Sequence, residues 1–324
     1  MDEAPRDNTR AGIAFVLVGM TCITANDAII KFLSDSYPLH QIVFIRSVIA
    51  ILGTLGFLYA ENAFRVLWPR HPGLQILRAS LIVLANMFFF LSLALLPLAT
   101  ATAIFFVAPL LITLLAIPVL GETVGIWRLS AIGIGFLGVL VISSGGSGEA
   151  GEVEVLGYVL PVLGAGCYAG MVVLTRKLSA SAPASALAFY MQAMFIVVGA
   201  GFFIVAGDGR FAQGVESEAF AFLLRAWRWP SPEDIWLFAL LGALAAVVGF
   251  TMSKAYGLAK AATISSFEYS ALALAILWGL VIFGTWPGFA EWVGIAMIAG
   301  AGLLVFFRES ARGEEKPARP HLDA

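Results

Sequence analysis

The chain has 324 residues, of which 60% are hydrophobic and only 12% are charged, and its mean hydropathy is +0.93. A soluble domain carries about 25% charged residues, so this composition excludes an ordinary soluble protein and predicts an all-α, polytopic membrane protein. The net charge of −2 comes without a basic patch, so no nucleic-acid partner is expected; the expected partners are the lipid bilayer and a small-molecule solute.

Apolar runs divide the chain into helices of membrane-spanning length. A bilayer core of about 30 Å needs about 20 apolar residues per helix, and on that measure the sequence predicts ten spans. They are 12–33, 40–60, 73–95, 98–120, 125–144, 155–177, 184–206, 233–258, 262–283 and 288–307. Segments rich in proline and glycine separate them.

The two halves of the chain resemble each other. Residues 12–33 align with residues 157–178 at an offset of 145, which pairs glycines, cysteines and basic residues. Residues 98–106 align with 261–269 at an offset of 163, so the second half carries a net insertion before its third helix. Because a unit of five helices ends on the side of the membrane opposite to where it began, its second copy must have the inverted orientation. Such inverted repeats recur in secondary transporters, with the solute site between them.

The expected organisation follows from these repeats and from the basic residues, which fall mainly on the side of both termini. That bias predicts cytoplasmic termini in a multi-pass membrane protein. The expected segments are a cytoplasmic N-terminus (1–11), a first repeat (12–144), a periplasmic linker (145–154), a second repeat (155–307, with an insertion near 207–232) and a polar tail (308–324).

Four ionisable residues lie well inside the predicted spans: Asp27, Lys31, Arg46 and Glu268. Charges there are costly and usually face a polar cavity or a partner. Lys31 aligns with basic Arg176, so it could mark a helix end, whereas the other three align with uncharged residues and favour a role in function. Asp27 and Lys31 stand four residues apart, the favourable spacing for an acid followed by a base. We hypothesise that Asp27, Lys31 and Arg46 form one polar cluster.

Glu268 and four uncharged or adjacent residues outside the hypothesised cluster are the remaining candidates. Glu268 could carry a proton, hold part of a solute, or bond a neighbouring helix, and Tyr269 follows it. Asn86, Tyr190 and Gln192 could line the cavity or join helices. The sequence indicates no catalytic residue, metal ligand or cofactor site, since the motifs of hydrolases, metalloproteases and nucleotide-binding proteins are missing. An intramembrane enzyme therefore stays the weaker alternative. Small residues that should allow close helix packing are Gly133, Gly138, Gly164, Gly294 and Gly300.

Several stretches resemble a known family. Ten spans, paired repeats and the Gly121-Glu122 motif are similar to the drug/metabolite transporter superfamily, in its EamA-domain branch. The stretches NDAIIKFLSDSYPLHQIVFIRS, FLLRAWRWPSPEDIW and FEYSALALAILWGLVIFG resemble a bacterial subgroup of riboflavin or S-adenosylmethionine uptake transporters. The second copy has Thr285 where that motif would place glutamate, so Glu122 is interpreted as a helix-end or gate residue.

This resemblance implies an inner-membrane carrier that alternates access around a central cavity. Uptake of riboflavin or a similar vitamin is the expected function. The alternatives are an S-adenosylmethionine, amino-acid or other metabolite carrier, in either direction. Oligomeric state and coupling ion are not encoded in any visible pattern.

Overall fold

The computed structural model describes residues 8–60, 72–121, 125–145, 155–177, 184–258, 264 and 267–314. Glu122, most of the predicted linker and the end of the tail lie outside these ranges. The helices are α1 (Thr9–Ser34), α2 (Leu39–Ala60), α3 (Pro72–Leu95), α4 (Leu98–Phe105), α5 (Ala108–Leu120), α6 (Ile126–Gly145), α7 (Val155–Lys177), α8 (Ala184–Ala206), α9 (Glu218–Leu224), α10 (Ile235–Leu258), α11 (Ser270–Phe283) and α12 (Phe289–Glu314). The described ranges contain no strand.

The described helices are those of a multi-pass membrane protein. Within the described residues, seven segments are long and apolar enough to cross a membrane, and three shorter apolar helices accompany them. Large apolar side chains on the outside stay exposed, as in Leu140, Ile204 and Val281, which are 63%, 78% and 67% exposed. Contiguous apolar surface of this kind is rare on soluble monomers, so lipid is its natural solvent. The exact count of ten spans stays a prediction.

Two predicted spans are interrupted. The span predicted over 98–120 divides at Phe106 into α4 and α5, because Pro109 has no N–H to donate back to the preceding turn. The span predicted over 262–283 turns at Tyr269, where α11 begins one residue later. The rings of Phe106 and Tyr269 lie against each other, with centroids 5.0 Å apart. Each predicted span therefore contains a local break in the helix that the sequence did not predict, and the two breaks meet inside the protein. Residues Leu98–Val119 still qualify as one segment of membrane-spanning length.

The helices pair across the two halves of the chain. Helix α1 packs on α10, and its counterpart α7 packs on α3. Helix α2 packs on α8, α4 on α11, and α6 on α12. Each of these contacts joins residues from the first half to residues from the second, so neither half encloses a core by itself.

Glycine permits the closest of these approaches. A Cβ on Gly294 of α12 would stand 2.6 Å from the carbonyl oxygen of Gly138 on α6. A Cβ on Gly164 of α7 would stand 2.9 Å from the Ala85 carbonyl oxygen on α3. Both fit the expectation of close packing. The same expectation is wrong for Gly133 and Gly300, where a Cβ would meet no atom within 4 Å.

The insertion in the second half has its own structure. The insertion predicted near 207–232 contains a 3-10 turn at Arg210–Ala212 and the helix α9. Phe222 of α9 is only 1% exposed and belongs to the main apolar core. We call residues 207–234 the cap. They lie at the end of the bundle where α1 finishes, which we call the cap side, and the opposite end, where α1 begins, is the terminal side.

The α6–α12 contact yields a stability prediction. Gly294→Val should lower the free energy of unfolding by about 1–3 kcal/mol, because the new side chain has no room beside Gly138 and Ile142. Gly300→Val on the same helix has the same change in helix propensity but open space, so it is the matched control. Thermal unfolding in detergent, followed by loss of the monodisperse chromatographic peak, measures both. Equal losses in the two variants would show that packing is not the cause.

Candidate functional site

A buried arginine lies at the centre of a polar group shared by α1, α2 and α10. Arg46 on α2 is 6% exposed, and its Nη1 donates to Asn26 Oδ1 on α1 at 3.2 Å. Asn26 Nδ2 in turn donates to the Leu241 carbonyl oxygen of α10 at 3.4 Å. The Asn26 side chain therefore joins three helices and fixes one end of the guanidinium. Sequence reasoning missed Asn26, although it directly precedes Asp27.

Aromatic rings hold the rest of this guanidinium. The Arg46 Cζ atom lies 5.5 Å from the Phe90 ring centroid on α3 and 5.0 Å from the Phe195 centroid on α8. Both distances suit a cation–π interaction, which is stronger where water is excluded. Arg46 Nε has no hydrogen-bond partner among the described residues. One donor of a buried cation is thus left for another molecule.

Asp27 is the counter-charge of this arginine. Its carboxylate interacts electrostatically with Arg46, yet no hydrogen bond or ion pair within 4 Å involves it in the part of the chain that the structure describes. Asp27 is also half-buried, whereas its neighbours Asn26 and Ala28 are buried. Part of the Asp27 residue is therefore accessible, unlike its two neighbours. Asp27, Asn26 and Arg46 together are called the central cluster.

Lys31 leaves the hypothesised cluster and binds elsewhere. Its Nζ donates to the carbonyl oxygens of Leu93 at 2.6 Å and Leu96 at 2.8 Å, and lies 5.5 Å from the Phe283 ring centroid. These carbonyls belong to the C-terminal end of α3, where helix acceptors lack partners and a cation is stabilised. The structure therefore places Lys31 in the last turn of α1, as the helix-end interpretation expected, and gives it an anchoring contact instead of a place in the hypothesised cluster.

Glu268 forms a second polar group at the interrupted helix. It is half-buried and interacts electrostatically with the Tyr269 and Tyr168 hydroxyls. Tyr269 Oη fits beside Gly302 of α12, where any Cβ would overlap it. Tyr168 on α7 packs against Phe105, with ring centroids 5.8 Å apart. Tyr168 was not among the sequence candidates, although it follows the aligned Cys167.

The three uncharged candidates lie on α3 and α8. Asn86 Nδ2 donates to the Ile82 carbonyl oxygen of its own helix at 2.8 Å. Gln192 is 2% exposed, and its Oε1 has no partner among the described residues. Tyr190 lines a pocket on the terminal side together with Arg78.

The cap is fastened to the link between α1 and α2. Tyr37 Oη donates to Asp234 Oδ2 at 2.7 Å and accepts from the Ser231 amide at 2.9 Å. Gln41 forms two bonds to the backbone of Arg228, donating to its carbonyl oxygen at 2.6 Å and accepting from its amide at 3.2 Å. Side chains of the first half thus bind the backbone of an insertion in the second.

An aromatic stack completes this fastening. The His40 ring lies between Phe202 and Trp227, with centroids 5.6 Å and 5.9 Å away, and its Nδ1 is 2.8 Å from the Leu223 carbonyl oxygen. Glu218 at the start of α9 interacts electrostatically with Lys31, one helical turn beyond Asp27. The cap therefore covers the end of the bundle next to the central cluster.

Comparisons with known proteins show which proteins this chain resembles. Residues 10–144 match the EamA-like transporter family model, which confirms the predicted resemblance to the EamA-domain branch. The riboflavin transporter of Rhizobium johnstonii is 28% identical, covering 95% of this chain and 92% of its own. The S-adenosylmethionine uptake transporter of Rickettsia conorii is 24% identical, covering 92% and 93%. A crystal structure of a protein 21% identical in sequence aligns with a TM-score of 0.59, over 94% of this chain and 99% of that one, and shows a similar fold.

The different partners of Lys31 and Asp27 predict different stabilities for their variants. Lys31→Met should lower the free energy of unfolding by about 1–3 kcal/mol, because two carbonyl oxygens lose their donor. Asp27→Asn keeps the shape of the side chain and breaks no hydrogen bond, although it removes a charge that interacts with Arg46, so it should lower the unfolding temperature less than Lys31→Met does. Thermal unfolding in detergent compares the two. A loss in Asp27→Asn as large as in Lys31→Met would make Asp27 a structural partner of Arg46.

Proposed function

We propose that this chain, which carries an EamA domain in residues 10–144, is a secondary transporter of a small organic metabolite. It would move the solute across the bacterial inner membrane by alternating access, with riboflavin or a similar vitamin as the solute. The proposal includes ten helices in two inverted repeats, with both termini in the cytoplasm.

The central cluster carries this proposal. Arg46 and Asp27 lie within membrane-spanning helices, where each charge costs at least about 2.5–3.5 kcal/mol. A pair kept only for stability would bond directly, yet Asp27 and Arg46 interact without a salt bridge and Arg46 Nε is unpartnered among the described residues. Charges that are costly to place in the membrane and that lack hydrogen-bond partners within the protein suit a binding site, where the solute supplies the missing partner.

The packing of the helices supports the two-repeat architecture. Helices α3 and α10 span 72–95 and 235–258, so their bounds differ by the same 163 residues that align 98–106 with 261–269. Phe106 and Tyr269 are equivalent at that offset, and their rings touch. Residues near a two-fold axis contact their own equivalents, and interrupted helices at such an axis are common around transporter sites.

The solute is proposed from the relatives and from the chemistry of the cluster. Riboflavin is planar and rich in hydrogen-bond acceptors, which suits the buried guanidinium of Arg46 beside Phe90 and Phe195. The second candidate is S-adenosylmethionine, because the Asp27 and Glu268 carboxylates could bind its cationic groups. An amino acid would use the same contacts.

Alternating access requires the two sides to open in turn. The positive-inside pattern places the terminal side in the cytoplasm and the cap in the periplasm. In this structure the cap is fastened through Tyr37, His40 and Gln41. These contacts would have to release for a solute to enter from the cap side.

The solute can be tested by growth and uptake. Expression in a riboflavin auxotroph should restore growth at low vitamin and give uptake of radiolabelled riboflavin that unlabelled riboflavin reduces but S-adenosylmethionine and amino acids do not. Asp27→Asn and Arg46→Ala should each reduce uptake about tenfold or more at equal membrane expression. No growth despite expression in the membrane would reject riboflavin, and competition by S-adenosylmethionine would select the second candidate.

The release of the cap can be tested by cross-linking. In a background with Cys22→Ala and Cys167→Ala, the double variant Gln41→Cys/Arg228→Cys joined by a short bismaleimide should lose transport. The reagent should leave each single-cysteine variant active. Undiminished uptake by fully cross-linked protein would show that the cap stays in place throughout the cycle.

A further inference from the structure

A pocket on the terminal side lies apart from the central cluster. Seven residues from three helices line it: Gln75, Arg78, Ala79, Ile82, Met171, Tyr190 and Met191. Its volume is about 150 Å³, whereas pockets that enclose a drug-sized ligand measure about 300–1,000 Å³. The pocket therefore has room for one group of a solute, not for a whole vitamin.

The polar lining is dominated by hydrogen-bond donors. Arg78 is half-buried, and its one hydrogen bond within the described residues is a long one, from Nη1 to Gln75 Oε1 at 3.5 Å. A guanidinium has five N–H donors in a planar fork that fits carboxylate, phosphate or paired carbonyl oxygens. Met171 and Met191 surround it with flexible side chains that adapt to different shapes. The pocket is built for an acceptor-rich or anionic group.

Two helices lead from this pocket to the central cluster. On α3, Ile82 lines the pocket and accepts the bond from Asn86, and one further turn brings Phe90 to Arg46. On α8, Met191 lines the pocket, and Phe195 one turn later lies against Arg46. At 1.5 Å per residue these paths measure about 12 Å and about 6 Å.

We propose that this pocket is a second station of the transport path, where Arg78 binds an anionic or acceptor-rich group of the solute on the terminal side. The proposal rests on the transport function above and adds to it the chemistry of one end of the solute. It also assigns Asn86 and Gln192 to the passage between the two stations, since both lie on the stretches of α3 and α8 that connect them.

Charged thiol reagents test the pocket without knowledge of the solute. In the Cys22→Ala/Cys167→Ala background, Met171→Cys should react from the terminal side only. Anionic sulfonatoethyl methanethiosulfonate should react faster than cationic trimethylammonioethyl methanethiosulfonate. Arg78→Gln should reduce this rate ratio about fivefold, the effect of removing one nearby charge in a wet site. Lys254→Gln removes an exposed cation that stacks on Phe250, so it is the control and should leave the ratio unchanged.

Protection assays identify the occupant. In phosphatidylcholine proteoliposomes, riboflavin should slow the reaction of both reagents with the thiol of the Met171→Cys variant, and Arg78→Gln should abolish that protection. A ratio that does not respond to Arg78→Gln would overturn the pocket as an anion-binding station. Protection by phosphatidylglycerol alone would assign the pocket to lipid headgroups and overturn a station for the solute. A charge-selective pocket that S-adenosylmethionine but not riboflavin protects would support the station and reject the vitamin proposed above.

Discussion

The structure depends on one constraint, which is that a charge or backbone group removed from water must find its partner inside the protein. Lys31 meets this constraint by donating to carbonyl oxygens at the end of α3. Arg46 meets it only in part, through Asn26 and two aromatic rings, because one nitrogen stays without a partner in the described part of the chain. A buried cation that donates to backbone carbonyl oxygens fixes the helices together, whereas a buried cation with an unused donor can still bind a ligand. On the function proposed above, this difference would separate charges that hold the bundle together from charges that bind the solute.

The sequence predicted the helices well because their signal is local. A run of about 20 apolar residues is enough to indicate a span, and the bounds of α2, α3 and α8 lie within a residue or two of the expected ones. The interruptions at Phe106 and Tyr269 were not predicted, because the residues around them stay apolar. Pro109 was visible beside the first, but proline is tolerated in membrane helices when neighbours satisfy the freed groups. Only the packing of the two halves shows where those neighbours are.

The sequence predicted which residues belong to the candidate site better than it predicted the contacts that they make. Asp27 and Arg46 were selected because charge is rare in these helices, and the structure brings them close enough to interact. Lys31 stands next to Asp27 in helical register, yet its long side chain extends to α3, which no spacing rule could indicate. Asn26 was overlooked because an amide in a membrane helix gives a weak signal. Tertiary contacts with Leu241 and Arg46 give it a defined position.

The differences between the two halves carry the functional argument furthest. Equivalent residues meet at Phe106 and Tyr269, so the fold itself uses matched positions. Arg46, Asp27 and Glu268 have uncharged equivalents, and the insertion that contains the cap lengthens the second half of the sequence relative to the first. Two similar repeats can alternate between two similar packings. An asymmetric solute bound between them, however, needs different side chains from each repeat. On the function proposed above, the residues that bind the solute and the segment that closes over it would therefore belong to the positions where the halves diverge. Arg78 fits this rule as well, since the offset of 163 places Leu241 opposite it.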